Sequence, residues 1–169
     1  GHDTTIPADI DMICRHTESV ARGTKNKFIV GDMPFLSYRQ SLPDTMRAVA
    51  SVMQAGAHAI KLEGIEGNSD SIAHIVKSGV PVMGHLGLTP QSVNQLGGFK
   101  VQGRGDDGQR IIDDALALQK AGVFAIVLEA VPAKLAAEIT KQLSIPTIGI
   151  GAGVDCDAQV LVWTDLMGL

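Results

Sequence analysis

The sequence has few aromatic residues, no long apolar run and no excess of positive charge. Phe, Trp and Tyr make up 4% of its 169 residues, so Val, Ile, Leu and Ala must build most of the core. No apolar run approaches the ~18 residues that span a bilayer, which argues against a membrane protein. The formal net charge of -4 argues against nucleic-acid binding, because proteins that bind nucleic acid usually present a basic face.

Cysteine is also scarce. Cys14 and Cys156 cannot form a disulfide framework, so we expect a reducing compartment, the cytoplasm. Glycine is plentiful, with 19 residues, and 45% of the chain is hydrophobic. This composition is typical of a turn-rich α/β protein, and the length suits a single domain over residues 1–169.

Short apolar runs alternate with stretches of helical periodicity along the whole chain. Three of the predicted helices end in a glycine just before an apolar run, at Gly56, Gly79 and Gly122, as expected for left-handed caps. Ser41 is a predicted helix N-cap. Alternation of strands and helices predicts a parallel sheet. The predicted strands are 27–32, 58–63, 81–86, 124–129, 146–151 and 159–165.

One βα unit is repeated. The segments 54–64 (QAGAHAIKLEG) and 120–130 (KAGVFAIVLEA) share a helix end, a glycine and a strand that finishes in glutamate. Glu63 and Glu129 therefore hold equivalent positions. Such repetition favours a (β/α) barrel over an open doubly wound sheet, and no G-x-G-x-x-G follows the first strand.

Ionisable residues lie at the ends of the predicted strands. Asp32, Glu63 and Glu129 close three of the runs, and His85 lies near the end of another. In a barrel, the carboxyl ends of the strands form the active-site rim. Lys61 shares a face with Glu63, because side chains alternate along a strand. We therefore expect these residues to converge.

The residue types indicate a chemistry. Asp32 and Glu63 offer the hard oxygen ligands that Mg²⁺ prefers. Lys61 can hold a substrate carboxylate or serve as a Schiff-base amine. Glu129, with Val127 in place of a lysine, is a candidate general base, and His85 can donate to an oxyanion or titrate. Together they suit proton removal next to a carbonyl, with a metal holding the enolate.

Structural roles are open for each of the same residues. Lys61 and Glu63 could form a simple ion pair, and Asp32 could cap the loop that follows it. Glu129 could interact with the dipole of the next helix. His85 could be an ordinary core histidine with its hydrogen bonds satisfied.

Several segments together resemble the ketopantoate hydroxymethyltransferase family, over essentially the whole chain. The block at 84–104 is long and specific. The matching segments are GHLGLTPQSVNQLGGFKVQGR (84–104), DMPFLSY (32–38), KLEG (61–64), LEAVP (128–132) and IPTIGIGAG (145–153).

The resemblance implies a TIM-type (β/α)8 barrel assembled as a homo-oligomeric decamer. It implies transfer of a hydroxymethyl group from 5,10-methylenetetrahydrofolate to 3-methyl-2-oxobutanoate, forming ketopantoate for pantothenate and coenzyme A biosynthesis. The partners are then small-molecule substrates and the cofactor is Mg²⁺. By the same resemblance, Asp32 and Glu63 bind the metal, Asp32, Lys61 and His85 bind the substrate, and Glu129 is the catalytic proton acceptor.

The sequence departs from the family pattern in places. The family's upstream Gly-Asp-Ser segment is absent and six strands are predicted, so we expect a partial barrel without its first strands and C-terminal segment. Ala130 stands where the family often has cysteine. Two alternatives stay open. One is an inactive fragment or structural subunit. The other is an enzyme like phosphoenolpyruvate mutase or isocitrate lyase, which usually carry a cysteine in a lid loop.

Overall fold

A computed structural model describes residues 4–105 and 107–168. The strands are β1 (Val30–Asp32), β2 (Ala59–Glu63), β3 (Val82–Gly87), β4 (Ala125–Glu129), β5 (Thr147–Ile150) and β6 (Ala158–Gln159). The helices are α1 (Ile10–Gly23), α2 (Leu42–Gln54), α3 (Ser69–Lys77), α4 (Val93–Leu96), α5 (Asp107–Ala121), α6 (Ala133–Gln142) and α7 (Trp163–Met167). A 3-10 turn, Pro90–Ser92, precedes α4.

The strands form one parallel sheet in chain order, β1-β2-β3-β4-β5-β6. A doubly wound sheet reverses its strand order at a switch point, whereas the wall of a (β/α) barrel is laid down strand after strand. The observed order is that of a barrel wall. The predicted parallel α/β architecture is therefore confirmed.

The two faces of the sheet bury different side chains. Ile60 and Leu62 of β2, like Ile126 of β4, are completely buried in the main core between sheet and helices. A smaller apolar cluster lies on the opposite face and includes Met83 and Val127. Because side chains alternate along a strand, residues two positions apart share this second face. Lys61, Glu63 and Glu129 therefore lie on the side away from the helices, as predicted.

The helix ends follow the sequence signals. Gly56, Gly79 and Gly122 all have positive φ, at 108°, 93° and 97°. The Ser41 side chain accepts a hydrogen bond from the Asp44 amide at 3.3 Å, which confirms the predicted N-cap of α2. No helix among residues 4–105 and 107–168 is long and apolar enough to cross a membrane.

The prediction of a strand at 159–165 is wrong. Only Ala158–Gln159 forms β6, and the Val160 amide adds one more bond to the Gly149 carbonyl at 3.0 Å. Trp163–Met167 is a short helix, and Trp163 is 68% exposed. Strand propensity depends on burial against neighbours, and in the described part of the chain this segment has only β5 beside it.

The internal repeat extends to the backbone conformation that follows each glutamate. Gly64 and Ala130 both have positive φ, at 71° and 48°. Glycine adopts this conformation freely, whereas alanine is strained there. Backbone hydrogen bonds hold Ala130 in place, since its amide donates to the Ile150 carbonyl at 2.8 Å and its carbonyl accepts from the Gln102 amide at 2.9 Å.

The repeat gives a matched pair of stability predictions. Ala130→Gly removes the strain, so the free energy of unfolding should rise by about 0.5–1 kcal/mol despite the added entropy of the unfolded chain. Gly64→Ala introduces the same strain and should lower it by about 1–2 kcal/mol. Urea unfolding of the complete protein that carries this sequence measures both. Changes of the same sign in the two variants would contradict this account.

Candidate active site

The predicted convergence of ionisable residues is confirmed. Asp32, Glu63 and Glu129 are the last residues of β1, β2 and β4. The strand register places Asp32 beside Lys61 and Glu63 beside His85. Since the strands are parallel, their carboxyl ends meet at one edge of the sheet. We call the group Asp32, Lys61, Glu63, His85 and Glu129 the rim cluster.

Lys61 and His85 connect the carboxylates of the rim cluster. The Lys61 ammonium Nζ lies 2.9 Å from Asp32 Oδ1 and 3.3 Å from His85 Nδ1. On the other side of the imidazole, His85 Nε2 lies 3.2 Å from Glu129 Oε2. Four side chains from four adjacent strands thus form a continuous polar chain.

The contacts of His85 define its tautomer. An ammonium can only donate hydrogen bonds, so Nδ1 must accept from Lys61 and the ring proton must be on Nε2. Burial lowers the pKa of His85 and outweighs the opposing effect of the Glu129 carboxylate, and the Lys61 charge also lowers it, so the imidazole is neutral at pH 7. Nε2 has no well-aligned acceptor among the described residues, although Glu129 is within reach.

Glu63 is the most enclosed carboxylate of the rim cluster. Its side chain is 4% exposed, and Oε2 accepts a hydrogen bond from the Gln91 amide at 3.0 Å. Oε1 lies 3.9 Å from His85 Nδ1, which is too far for a hydrogen bond. Burial raises the pKa of Glu63 to about 7, although the Lys61 charge opposes the rise. The carboxylate lacks the positive charge that would fully compensate its burial.

Three residues that sequence reasoning assigned no role surround Glu63. The Tyr38 hydroxyl accepts from the Glu63 amide at 3.2 Å, and Arg39 Nη2 donates to the Glu63 carbonyl at 3.1 Å. Gln91 supplies the amide that binds the carboxylate. The signal was their position, because Tyr38 and Gln91 follow shortly after the ends of β1 and β3, where barrel active sites are built.

The side chains of the rim cluster differ in their exposure to solvent. The Asp32 side chain is 52% exposed and that of Glu129 is 22% exposed, whereas His85 is almost fully buried. A ligand entering from solvent would therefore meet Asp32 and Glu129 first. Lys61 lies between the exposed Asp32 and the buried His85, so its ammonium can contact an anion that enters from solvent.

The donor set fits a water-rich divalent metal site. Asp32 and Glu63 supply carboxylate oxygens, and Mg²⁺ is commonly held by one or two carboxylates with waters and substrate in the remaining positions. A cation would also provide the compensating charge that Glu63 lacks. In residues 4–105 and 107–168, no group of three or more His, Cys, Asp or Glu side chains is arranged to hold a metal. The ligand roles of Asp32 and Glu63 stay predictions.

The observed contacts test the purely structural roles considered for Lys61, Glu129 and His85. Lys61 pairs with Asp32, and its distance to that carboxylate is that of an ion pair. Glu129 is separated from α6, which begins at Ala133 after the N-cap Pro132. His85 contacts Lys61 and approaches Glu129, which differs from an ordinary core histidine with satisfied hydrogen bonds.

Solved structures place the chain in the barrel class of parallel α/β proteins. It superposes on a phosphoenolpyruvate phosphomutase from Streptomyces platensis subsp. rosaceus with a TM-score of 0.68 and 11% identity, covering 97% of this chain and 64% of the other. A phosphonopyruvate hydrolase in complex with oxalate and Mg²⁺ matches with a TM-score of 0.63 and 15% identity, over 86% of this chain and 53% of the other. At these identities the likeness concerns the fold.

Sequence comparison defines the family. The family described as ketopantoate hydroxymethyltransferase matches residues 1–169, and the chain belongs to it. A 3-methyl-2-oxobutanoate hydroxymethyltransferase from Bdellovibrio bacteriovorus is 61% identical over 170 aligned positions, covering 100% of this chain and 65% of the relative. Proteins of the same name from Coxiella burnetii and Francisella tularensis are 56% and 54% identical, and the chain spans 64% of each.

The buried Glu63 predicts a specific pH dependence of stability. Its folded-state pKa of about 7 lies above the ordinary 4.5, so the folded protein binds this proton more tightly than the unfolded chain does. The contribution of this proton to the free energy of unfolding is fully present below pH 4.5, and it is lost as the pH rises to about 7. Relative to Glu63→Gln, the wild type should lose on the order of 3 kcal/mol over this range.

Urea unfolding of the complete, EDTA-treated protein at several pH values measures this difference. Glu66→Gln, at an exposed position three residues later, controls for the change of a carboxylate to an amide. If the free energy of unfolding of Glu63→Gln and of Glu66→Gln changes with pH in the same way as that of the wild type, the assignment of the shift to Glu63 is wrong.

Proposed function

We propose that the complete protein carrying this sequence transfers a hydroxymethyl group from 5,10-methylenetetrahydrofolate to 3-methyl-2-oxobutanoate, forming ketopantoate. Family membership supports the reaction. The single observation that carries it is the rim cluster, in which a cation, a neutral imidazole and three carboxylates meet at the ends of adjacent parallel strands. These are the groups that proton removal next to a carbonyl requires.

Lys61 holds the carboxylate of the keto acid. Its ammonium is fixed by Asp32 and His85, so little side-chain freedom is lost when an anion binds. The side chain is 18% exposed, which leaves a donor within reach of a ligand from the solvent side. The same fixed ammonium orients the substrate relative to Glu129.

Glu129 accepts the proton from C3 of the keto acid. Its carboxylate is partly exposed to solvent and lies 3.2 Å from His85 Nε2. An Nε2 that carries a hydrogen can only donate, so His85 does not compete with the Glu129 carboxylate for the substrate proton. The carbon then forms its new bond to the one-carbon unit of the folate, water supplies the product hydroxyl, and tetrahydrofolate leaves.

Asp32 and Glu63 hold the divalent metal, which we take to be Mg²⁺. When bound, the cation supplies positive charge that stabilises the negative charge developing on the keto oxygen. The two glutamates of the repeat then have different tasks, although they stand at equivalent strand ends. Glu63 is enclosed, its carboxylate accepts from the Gln91 amide and its own amide donates to Tyr38, as suits a fixed ligand, whereas Glu129 is partly exposed to solvent.

We also propose that the complete protein is a closed (β/α)8 barrel, assembled as a cytoplasmic homodecamer. The sequential parallel order of the six strands supports the barrel. The alternative of an enzyme like phosphoenolpyruvate mutase has less support. Cys14 lies in α1 and Cys156 between β5 and β6, so neither occupies the lid-loop position that such enzymes use. No observation favours the inactive subunit.

The reaction is tested with the complete purified protein. Loss of 3-methyl-2-oxobutanoate and formation of ketopantoate should require both methylenetetrahydrofolate and Mg²⁺. Omission of the folate and addition of EDTA are the controls. A folded protein that makes no ketopantoate with both present would reject the proposal.

The role of Glu129 as the general base is tested separately from hydroxymethyl transfer. Glu129→Gln should lower kcat by about 10²–10⁴-fold, because general base catalysis contributes roughly that much. The variant should also lose exchange of the C3 proton with D₂O, followed by proton NMR of the keto acid with Mg²⁺ and no folate. Exchange at the wild-type rate in Glu129→Gln would assign proton removal to another group.

The role of Lys61 predicts a defect in binding. Lys61→Met should raise the KM for the keto acid by about 10–100-fold, as expected when a charge-assisted hydrogen bond worth ~1.5–3 kcal/mol is lost. The KM for the folate should change little. Lys77→Met, at an exposed position in α3, is the matched control. Equal KM values for the keto acid in the two variants would contradict this role.

A further inference from the structure

The side chain of Gln91 lies at a junction between the segments that carry Asp32 and Glu63. We propose that Gln91 and Tyr38 are positioning residues that set the distance between these two carboxylates and so determine how well the site binds a divalent metal. The inference rests on the proposed function for the metal-binding roles of Asp32 and Glu63. It goes beyond that function by assigning the device that holds them.

Gln91 contacts both carboxylate-bearing strands. Its backbone amide donates to Glu63 Oε2 at 3.0 Å, and its side-chain Nε2 donates to the Met33 carbonyl at 2.8 Å. Met33 directly follows Asp32 and is completely buried, so its carbonyl cannot turn to water for a replacement donor. One residue therefore connects the end of β1 to the end of β2.

Tyr38 completes the connection. Its hydroxyl lies 3.0 Å from Gln91 Oε1 and 3.2 Å from the Glu63 amide nitrogen. Since the amide N–H must donate, the hydroxyl oxygen accepts there. Its own hydrogen goes to Gln91 Oε1, which is nearer than the Glu63 carbonyl at 3.4 Å. Tyr38 is 2% exposed and Gln91 8% exposed. Both side chains are thus withdrawn from water, where a hydrogen bond fixes geometry most strongly.

The contacts require a primary amide at position 91. The oxygen must accept from Tyr38 and the nitrogen must donate to Met33, so a glutamate would lack the donor and a methionine would lack both groups. Partners that orient metal ligands in this way typically account for about 10–100-fold in metal affinity. Gln91 and Tyr38 need not touch the substrate to have this effect.

The test is Mn²⁺ binding to the complete protein, measured by EPR from the loss of the free Mn²⁺ signal, with and without the keto acid. Gln91→Met should weaken the Kd for Mn²⁺ by about 10-fold or more, and Tyr38→Phe should weaken it in the same direction. Gln119→Met is the matched control. Like Gln91, Gln119 makes two side-chain hydrogen bonds, here both accepted by Oε1 from the Ser144 amide and hydroxyl, but these join α5 to the segment after α6. Its loss should lower stability and leave the Kd unchanged.

Activity gives a second readout. With Gln91→Met, the Mg²⁺ concentration for half-maximal activity should rise by a similar factor, whereas Gln119→Met should not change it. If Gln91→Met fails to fold, Tyr38→Phe decides, because it removes one hydroxyl and keeps the ring. Wild-type Kd values in the folded Gln91→Met or in Tyr38→Phe would overturn the inference, as would a wild type that binds no Mn²⁺. A wild type that binds Mn²⁺ and makes no ketopantoate would reject the proposed reaction only, and the Kd comparison would still decide the inference.

Discussion

The contact of the Lys61 ammonium with Asp32 and His85 is the interaction on which the rim cluster depends. Asp32, Glu63 and Glu129 bring three carboxylates to one edge of the sheet, and like charges so placed repel unless a cation lies among them. Lys61 also fixes His85 by donating to Nδ1, which leaves the ring hydrogen on Nε2, 3.2 Å from Glu129 Oε2. One side chain thus offsets part of the carboxylate charge and defines the tautomer of His85.

Burial divides the rim cluster into two functional halves. Glu63 is withdrawn from water and held at its amide, its carbonyl and its carboxylate by Tyr38, Arg39 and Gln91. Asp32 and Glu129 meet solvent and carry fewer restraints. If Asp32 and Glu63 hold a metal as proposed, one enclosed ligand and two accessible carboxylates would keep the metal in place while substrates exchange. The repeat supplies equivalent strand ends, and their surroundings give each glutamate a different environment.

The sequence predicts those parts of the fold and site that depend on periodicity along the chain. Alternation within β2 and β4 placed Lys61, Glu63 and Glu129 on one face, and the repeat indicated a common rim. The strand predicted at 159–165 failed because its apolar residues have β5 as their only strand neighbour in the described residues. Gln91 was missed for a related reason. Its contacts span 28 and 58 residues and involve backbone atoms, which leave no pattern in the sequence.

In the proposed reaction, the tautomer of His85 restricts where a proton taken up by Glu129 can go. Nε2 already carries a hydrogen, and Nδ1 is occupied by the Lys61 ammonium, so the imidazole cannot relay the proton inwards. The carboxyl group must release it on its solvent-facing side or return it to the bound molecule. Under the proposed reaction, proton exchange with bulk water is therefore confined to the solvent-facing side of Glu129.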